Sequence, residues 1–266
     1  MFSIRRRLRL VIHWLICPAD ECPGIDKGTS PPDFLSTSER ATYAKLAFPK
    51  RRREWLLGRW TAERLLQLSQ EAYRLLPLNA ITVDNDPDGA PFLSVDGEGR
   101  LPVSLSISHR EERAFCALSP SLSPPIGADV ERVEARDLAF VRDFFTPDEA
   151  ERVWACPPST RDTLITVIWS AKEAVLKALH QGLRVDTRSV EVLRVAGLKG
   201  DTAPRSSSTC RAPEDWRELT ISSRLPGAAH IVAWWRPDGG YVLTLAATSP
   251  TPIALAINRA RDASQS

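Results

Sequence analysis

The chain is 266 residues long, 43% apolar and 26% charged, with 35 basic and 33 acidic side chains and a formal net charge of +2. That length supplies one large core or two compact halves, and the near-neutral charge excludes binding of nucleic acid by bulk electrostatics. Five cysteines, Cys17, Cys22, Cys116, Cys156 and Cys210, form no CxxC pair and have no histidine at zinc-like spacing. This argues against a disulfide framework or zinc site and predicts a reducing, cytoplasmic compartment.

Leu10–Cys17 is a short apolar run behind a basic start. It contains His13 and lacks a small-x-small cleavage pattern, so it reads as a buried strand opening the fold rather than a signal peptide. No run approaches the roughly 20 apolar residues that cross a membrane. A Pro/Gly/Asp-rich connection, Pro18–Pro32, precedes a helix expected from Ser36 or Ser38, either of which can act as N-cap, to about Ala47. Apolar residues at Trp55, Leu56, Trp60, Leu65, Leu66 and Leu68 follow helical spacing, predicting a helix over 51–76 that Pro77 closes. Ile81–Val83 reads as a strand before a turn at Asp86-Pro87-Asp88-Gly89, and strands are expected at Leu105–Ser108 and Arg113–Leu118. The Ser/Pro-rich joint Pro120–Pro125 marks a boundary between halves 1–122 and 123–266.

The second half repeats the first. Trp60-Thr61-Ala62-Glu63-Arg64-Leu65-Leu66 resembles Trp169-Ser170-Ala171-Lys172-Glu173-Ala174-Val175 at an offset of 109, and the same offset carries Ile81–Val83 onto Val190–Val192. Ile231–Trp234 and Tyr241–Leu245 read as further strands joined by Pro237-Asp238-Gly239-Gly240. Gly200–Pro213 reads as a mobile loop, and the tail after Pro250 as peripheral. The expected class is therefore α+β, a duplicated unit of a small antiparallel sheet packed with helices.

Three segments could carry chemistry. In a strand over Gly127–Glu131, alternation points Asp129 and Glu131 the same way, and two like charges on one face call for a cation. Mg²⁺ takes about six oxygen ligands and keeps several waters, so two or three carboxylates and a substrate phosphate satisfy it. A solvent-facing acidic edge is the plainer reading of that strand alone. The helix Trp169–Lys177 changes the balance: Glu173 and Lys177 share a face, Lys172 lies about 100° away, and the rest is mostly apolar. Third, Leu105-Ser106-Ile107-Ser108-His109 ends a strand in a hydroxyl and an imidazole, which can donate hydrogen bonds to a phosphate. No G-x-S-x-G and no nearby acidic partner suggest a Ser/His/Asp hydrolase.

Taken in order, Ser108-His109, Gly127-x-Asp129-x-Glu131 and Trp169-Ser170-x-Lys172-Glu173-x-x-x-Lys177 resemble the 4′-phosphopantetheinyl transferases of the larger, surfactin-type subclass. Leu35-Ser36 with Glu39-Arg40, Leu57-Gly58-Arg59 and Phe144–Glu149 add to the likeness, which runs from about Val11 to Leu245. The resemblance implies two pseudo-twofold-related α+β halves with coenzyme A at their interface. It implies Mg²⁺-dependent transfer of phosphopantetheine from coenzyme A to a serine of an acyl or peptidyl carrier protein, releasing 3′,5′-ADP. It assigns Asp129, Glu131 and Glu173 to the metal and Glu173 and Lys177 to catalysis. Ser108, His109 and Lys172, with Arg40 and Arg53 as further candidates, fall to coenzyme A. It also implies a monomer that meets neither nucleic acid nor membrane. In one respect the chain departs from the family: where many members have Gly-Lys-Pro it has Gly89-Ala90-Pro91, so that the cleft lacks a lysine, and either another base such as Arg110 compensates or affinity for coenzyme A is lower.

Two other readings remain at this point. A non-catalytic coenzyme A or carrier-protein binding protein on the same scaffold would explain Ala90. Nucleic-acid binding through Arg5–Arg7 and Lys50–Arg53 lacks any recognised motif.

Overall fold

The computed structural model describes residues 9–26, 30–120, 125–198, 215–228, 230–248 and 254–259, with the backbone alone for 9, 10, 183 and 254–258. The Arg5–Arg7 cluster, Cys210, the Gly200–Pro213 loop and most of the Pro120–Pro125 joint lie outside the described residues.

The first half holds β1 (Arg9–Pro18), α1 (Thr37–Lys45), α2 (Pro49–Ser69), β2 (Ile81–Asn85), β3 (Pro91–Val95), β4 (Gly99–Arg100), β5 (Ser104–Arg110) and β6 (Arg113–Ser119). The second holds β7 (Ile126–Arg132), α3 (Leu138–Phe144), α4 (Pro147–Ala155), α5 (Pro158–Ala178), β8 (Val190–Val195), β9 (Arg217–Ser223), β10 (Ile231–Asp238) and β11 (Tyr241–Thr248), followed by β12 (Ala254–Arg259). The strand order β7-β11-β10-β9-β8 in the second half matches β1-β6-β5 followed by a separate β2-β3-β4 sheet in the first. Helices α2 and α5 are both 21 residues long, both start on a proline, and stand 109 residues apart. Proline suits that first position because its missing N–H has no helical partner there in any case.

The duplication extends to the helix caps. Ser36 and Glu39 form a capping box on α1, and Thr146 and Glu149 form one on α4. Each glutamate also accepts from a strand amide, Glu39 from Val83 N at 2.9 Å and Glu149 from Val192 N at 2.7 Å. One carboxylate thus ties a helix start to a sheet in each half.

The layers run helix, sheet, sheet, helix. Leu15, Cys17, Cys116 and Leu118 turn to α2, whereas Ile12, Trp14, Phe115 and Ala117 on the other face meet Ala128, Val130, Leu243 and Leu245 of the second sheet. The far face of that sheet packs on α5 through residues such as Val242, Ala171 and Val175. The four described cysteines are free and buried.

Several expectations need correction. The helix expected to reach residue 76 ends at Ser69, where Gln70 turns extended (φ −127°, ψ 109°) and a short 3-10 turn, Glu71–Tyr73, follows. The tail is not merely peripheral: β12 pairs in parallel with β1, so the first sheet is mixed and the chain's last described strand returns to the first half. We therefore propose a division near residue 123 with 254–259 reassigned to the first half.

The two halves differ at one buried pair. Lys172 donates to Glu149 at 2.8 Å and to the carbonyls of Thr187 and Val190. Its counterpart 109 residues earlier is Glu63, fully buried and set against the carboxylate of Glu39 rather than against an ammonium. Burial first, then the charge of Glu39, hold the Glu63 carboxyl well above the usual carboxylate range. The folded chain therefore keeps a proton that the unfolded chain releases, and stability falls as pH rises from the ordinary carboxylate range toward the raised value, by about 1.4 kcal/mol per unit. Glu63→Gln carries no such proton. Its melting temperature should gain on the parent's as pH increases above the ordinary carboxylate range; a pH-independent difference in thermal melts would contradict this.

Candidate active site

Strand β7 presents Gly127, Asp129 and Glu131 to α5, while Ala128 and Val130 enter the inter-sheet core. Helix and strand are in direct backbone contact at Gly127, where an added Cβ would stand 1.9 Å from the Ala174 carbonyl oxygen. That close approach lets Glu173 and Lys177 of α5 reach Asp129. Lys177 Nζ lies 2.7 Å from Asp129 Oδ1 and 3.0 Å from Ala128 O. Ser170 Oγ donates to Asp129 Oδ2 at 2.7 Å.

Strand β5 closes the site from the first half. Its alternate serines cross to β7: Ser104 Oγ accepts from Ile126 N, Ser106 Oγ accepts from Ala128 N at 2.9 Å, and Ser108 Oγ donates to Asp129 Oδ1 at 2.8 Å. Three hydroxyls thus stitch the edges of two sheets without a regular ladder. Glu131 is held by Trp169 Nε1 at 3.2 Å, by Arg136 at 3.3 Å and by Arg110 at 3.4 Å.

The electrostatics single out Glu173. Burial first, then the charge of Asp129, with a smaller push from Glu131, raise its carboxyl to about 7 against the pull of Lys177. Its Oε1 is buried with no hydrogen-bond partner. Glu131 is also raised, by burial and then by Asp129, with Arg110 and Arg136 opposing. Hard oxygen donors that repel one another, one of them unpartnered, fit Mg²⁺ in kind. Among the described residues no three such groups form a ready-made cage; Lys177, Arg110 and Arg136 instead hold carboxylate oxygens of Asp129 and Glu131.

Two cavities flank these residues. The larger, about 740 Å³, is lined by Lys50, Arg51, Glu54, Trp55, Arg59 and His109 among others. The smaller, about 180 Å³, includes Lys177, His180, Ser106 and the turn Asp88–Pro91. Gly89, Pro91 and Ile107 belong to both walls, so the spaces adjoin.

The structure brings together Asp129, Glu131, Glu173, Lys177 and Ser108, but not every residue expected at the site. Ser108 and His109 point to opposite faces of β5, as strand alternation requires. Ser108 supports Asp129, while His109 enters the larger cavity beside Glu54 and is lowered below its ordinary pKa mainly by burial. Lys172 is fully enclosed with Glu149 and does not reach either cavity. Arg40 is bound to Leu35 O and Asp33, and Arg53 to Asp26 and Glu112, so neither lines the cleft. Arg110 does not replace a lysine at Ala90, because it is engaged by Glu131 and Glu134. Lys50, Arg51 and Arg59 line the larger cavity instead. They share one stripe of α2 with Glu54, Trp55 and Gly58, a helical spacing that could have singled them out. Arg59 is further fixed over the Trp55 ring, 4.4 Å from its centroid, and by Asn85 at 3.0 Å.

The profile of the 4′-phosphopantetheinyl transferase superfamily matches residues 125–234, the segment that contains Asp129, Glu131, Glu173 and Lys177. The 4′-phosphopantetheinyl transferase HetI of Nostoc sp. is 27% identical over 184 residues, 68% of this chain and 75% of that protein. The 4′-phosphopantetheinyl transferase psf-1 of Bacillus pumilus is 26% identical over 151 residues, 56% of this chain and 60% of that one. Among solved structures, a holo-(acyl-carrier-protein) synthase from Bacillus anthracis in complex with CoA overlaps 41% of this chain and 92% of its own at 26% identity, with a TM-score of 0.33, too loose a superposition to build on. The profile and these relatives agree on one family, the 4′-phosphopantetheinyl transferase superfamily, to which this chain is similar across the segment that carries the carboxylates.

Proposed function

We infer that the protein transfers 4′-phosphopantetheine from coenzyme A to a serine of an acyl or peptidyl carrier protein, releasing 3′,5′-ADP, as an enzyme of the larger, duplicated subclass. The observation that carries this is the convergence of Asp129, Glu131, Glu173 and Lys177 beside two adjoining cavities, one of them bordered by Lys50, Arg51 and Arg59. The basic cavity suits the 3′-phosphate end of the nucleotide, and the narrower one, with Lys177 in its wall, suits the diphosphate passing the carboxylates.

In the reaction the carrier serine oxygen bonds to the phosphorus that bears pantetheine, and the P–O bond to 3′,5′-ADP breaks. Glu173 receives the serine proton, directly or through one water; a carboxyl near 7 is well matched to that task. Lys177 stands one helical turn on, where its ammonium offsets the charge that grows on the departing phosphate. Ser108 and Ser170 hold Asp129 in place from two sides. Asp129, Glu131 and Glu173 are the residues that would hold Mg²⁺, which when bound supplies charge neutralisation at the diphosphate.

We also read the protein as a cytoplasmic monomer. Four buried free cysteines favour a reducing compartment, and no helix among the described residues is long and apolar enough to cross a membrane. The test is to incubate the protein with coenzyme A and a panel of apo carrier proteins, with Mg²⁺ or with chelator, and to weigh the carriers by mass spectrometry. Covalent phosphopantetheine on a carrier serine, lost with chelator, is the expected result. Tight coenzyme A binding without product on any carrier would transfer the reading to a non-catalytic binding protein.

A further inference from the structure

Helix α5 ends on a tight stop. Leu179 N donates to Val175 O, His180 N to Lys177 O and Gln181 N to Leu176 O. Such stops close on a residue in the left-handed region, where glycine is at ease because it has no Cβ. Here that residue is His180, at φ 56°, one of two non-glycine residues with positive φ among those described.

The strained backbone aims the imidazole across the gap between the halves. Nδ1 lies 3.2 Å from Asp88 Oδ2 on the β2–β3 turn. Arg184 reaches the same turn and donates to Asp88 O at 2.9 Å. The other Asp88 oxygen accepts from Ala90 N at 3.0 Å, so both carboxylate oxygens are engaged. His180 and Lys177 both line the smaller cavity, and Ala90 in that wall brings no charge.

Neither helix termination nor ion pairing accounts for a histidine here. Glycine or asparagine would end the helix with less strain. A pair whose side chains are 44% and 40% exposed adds little to stability. A ring that donates Nδ1–H to a carboxylate, however, has Nε2 fixed in direction, and in its imidazolium form Nε2–H is an oriented donor. Beside the Lys177 ammonium, that donor suits an anion in the cavity.

We propose that His180, oriented by Asp88, binds the diphosphate of coenzyme A in the smaller cavity next to Lys177. This rests on the transferase reading and adds to it a ligand that reaches the cleft from the end of α5. Because the two cavities adjoin, one extended anion can occupy both.

The experiment is coenzyme A titration by calorimetry, with steady-state kinetics, on the parent protein and on His180→Gly, His180→Asn and Asp88→Asn. Glycine and asparagine both tolerate the left-handed region, so both histidine variants should fold, and His180→Gly should melt at or above the parent temperature. Loss of one charge-assisted hydrogen bond should raise the dissociation constant and KM for coenzyme A roughly tenfold while kcat stays within about a factor of two. Asp88→Asn, which keeps the ring but loosens it, should fall between. A parent that binds coenzyme A alongside histidine variants that bind it equally well overturns the assignment of His180. A parent that binds no coenzyme A overturns the transferase reading itself.

Discussion

Replacing Glu173 by glutamine should lower the rate of carrier labelling by about 10²–10⁴-fold, the usual worth of a positioned general base. The substitution keeps the shape of the side chain and removes its capacity to take a proton. It should also make the protein more stable, because a carboxylate raised to about 7 by burial and by Asp129 is a group that the fold holds at a cost. The sign follows from linkage. Folded Glu173 retains its proton up to about 7, the unfolded chain releases it near the ordinary value, and stability is lost as pH rises between the two. Above that window the glutamine variant should lead by about 3 kcal/mol, and below it the lead should vanish. Mg²⁺ provides a second readout: it should raise the melting temperature of the parent more than that of Glu173→Gln, since ligands stabilise the state that binds them. Labelling at the parental rate by Glu173→Gln would sink the assigned role. Parallel Mg²⁺ responses would remove Glu173 from the metal site.

Parts of this site were legible before any coordinates because they obey local periodicity. Asp129 and Glu131 share a face because strands alternate, and Glu173 and Lys177 share one because helices repeat every 3.6 residues. The repeat at offset 109 was legible for the same reason: helix and strand starts in both halves follow the same apolar pattern, and the structure reproduces the offset in α2 and α5 and in β2 and β8. What local pattern cannot supply is the choice of partner. Lys172 falls to coenzyme A by resemblance, yet its partner is Glu149, a capping residue on another helix. Arg53 belonged to a cluster facing phosphates in the linear view, but Asp26 and Glu112 claim it. Ser108 and His109, adjacent in sequence, were expected to act on the same phosphates, although alternation itself already separates them. The parallel pairing of β12 with β1 joins opposite ends of the chain and leaves no local trace.

Gly127→Ala should destabilise the protein by about 3 kcal/mol or more, read from urea unfolding midpoints. Most glycine substitutions in a strand add β propensity and cost little, but here the new methyl would stand 1.9 Å from Ala174 O and 2.8 Å from Ala178 N. Both are backbone atoms of α5, so no rotamer change can relieve the contact and the helix itself must move. That helix carries Glu173 and Lys177, whereas Asp129 stays on β7 with Ser108. Displacement of α5 therefore separates the two sides of the site as well as opening the core. Activity measured well below the melting temperature of the variant, where the chain is folded, should still fall at least about tenfold, since positioning errors of about 1 Å suffice for larger losses. A variant that melts early yet labels carrier at the parental rate when folded would mean that α5 can shift without disturbing Glu173 and Lys177. The close approach at Gly127 would then serve packing alone. Loss of both together ties the missing side chain at position 127 to the placement of the carboxylates, because the absence of a Cβ is what lets helix and strand meet closely enough for Lys177 to reach Asp129.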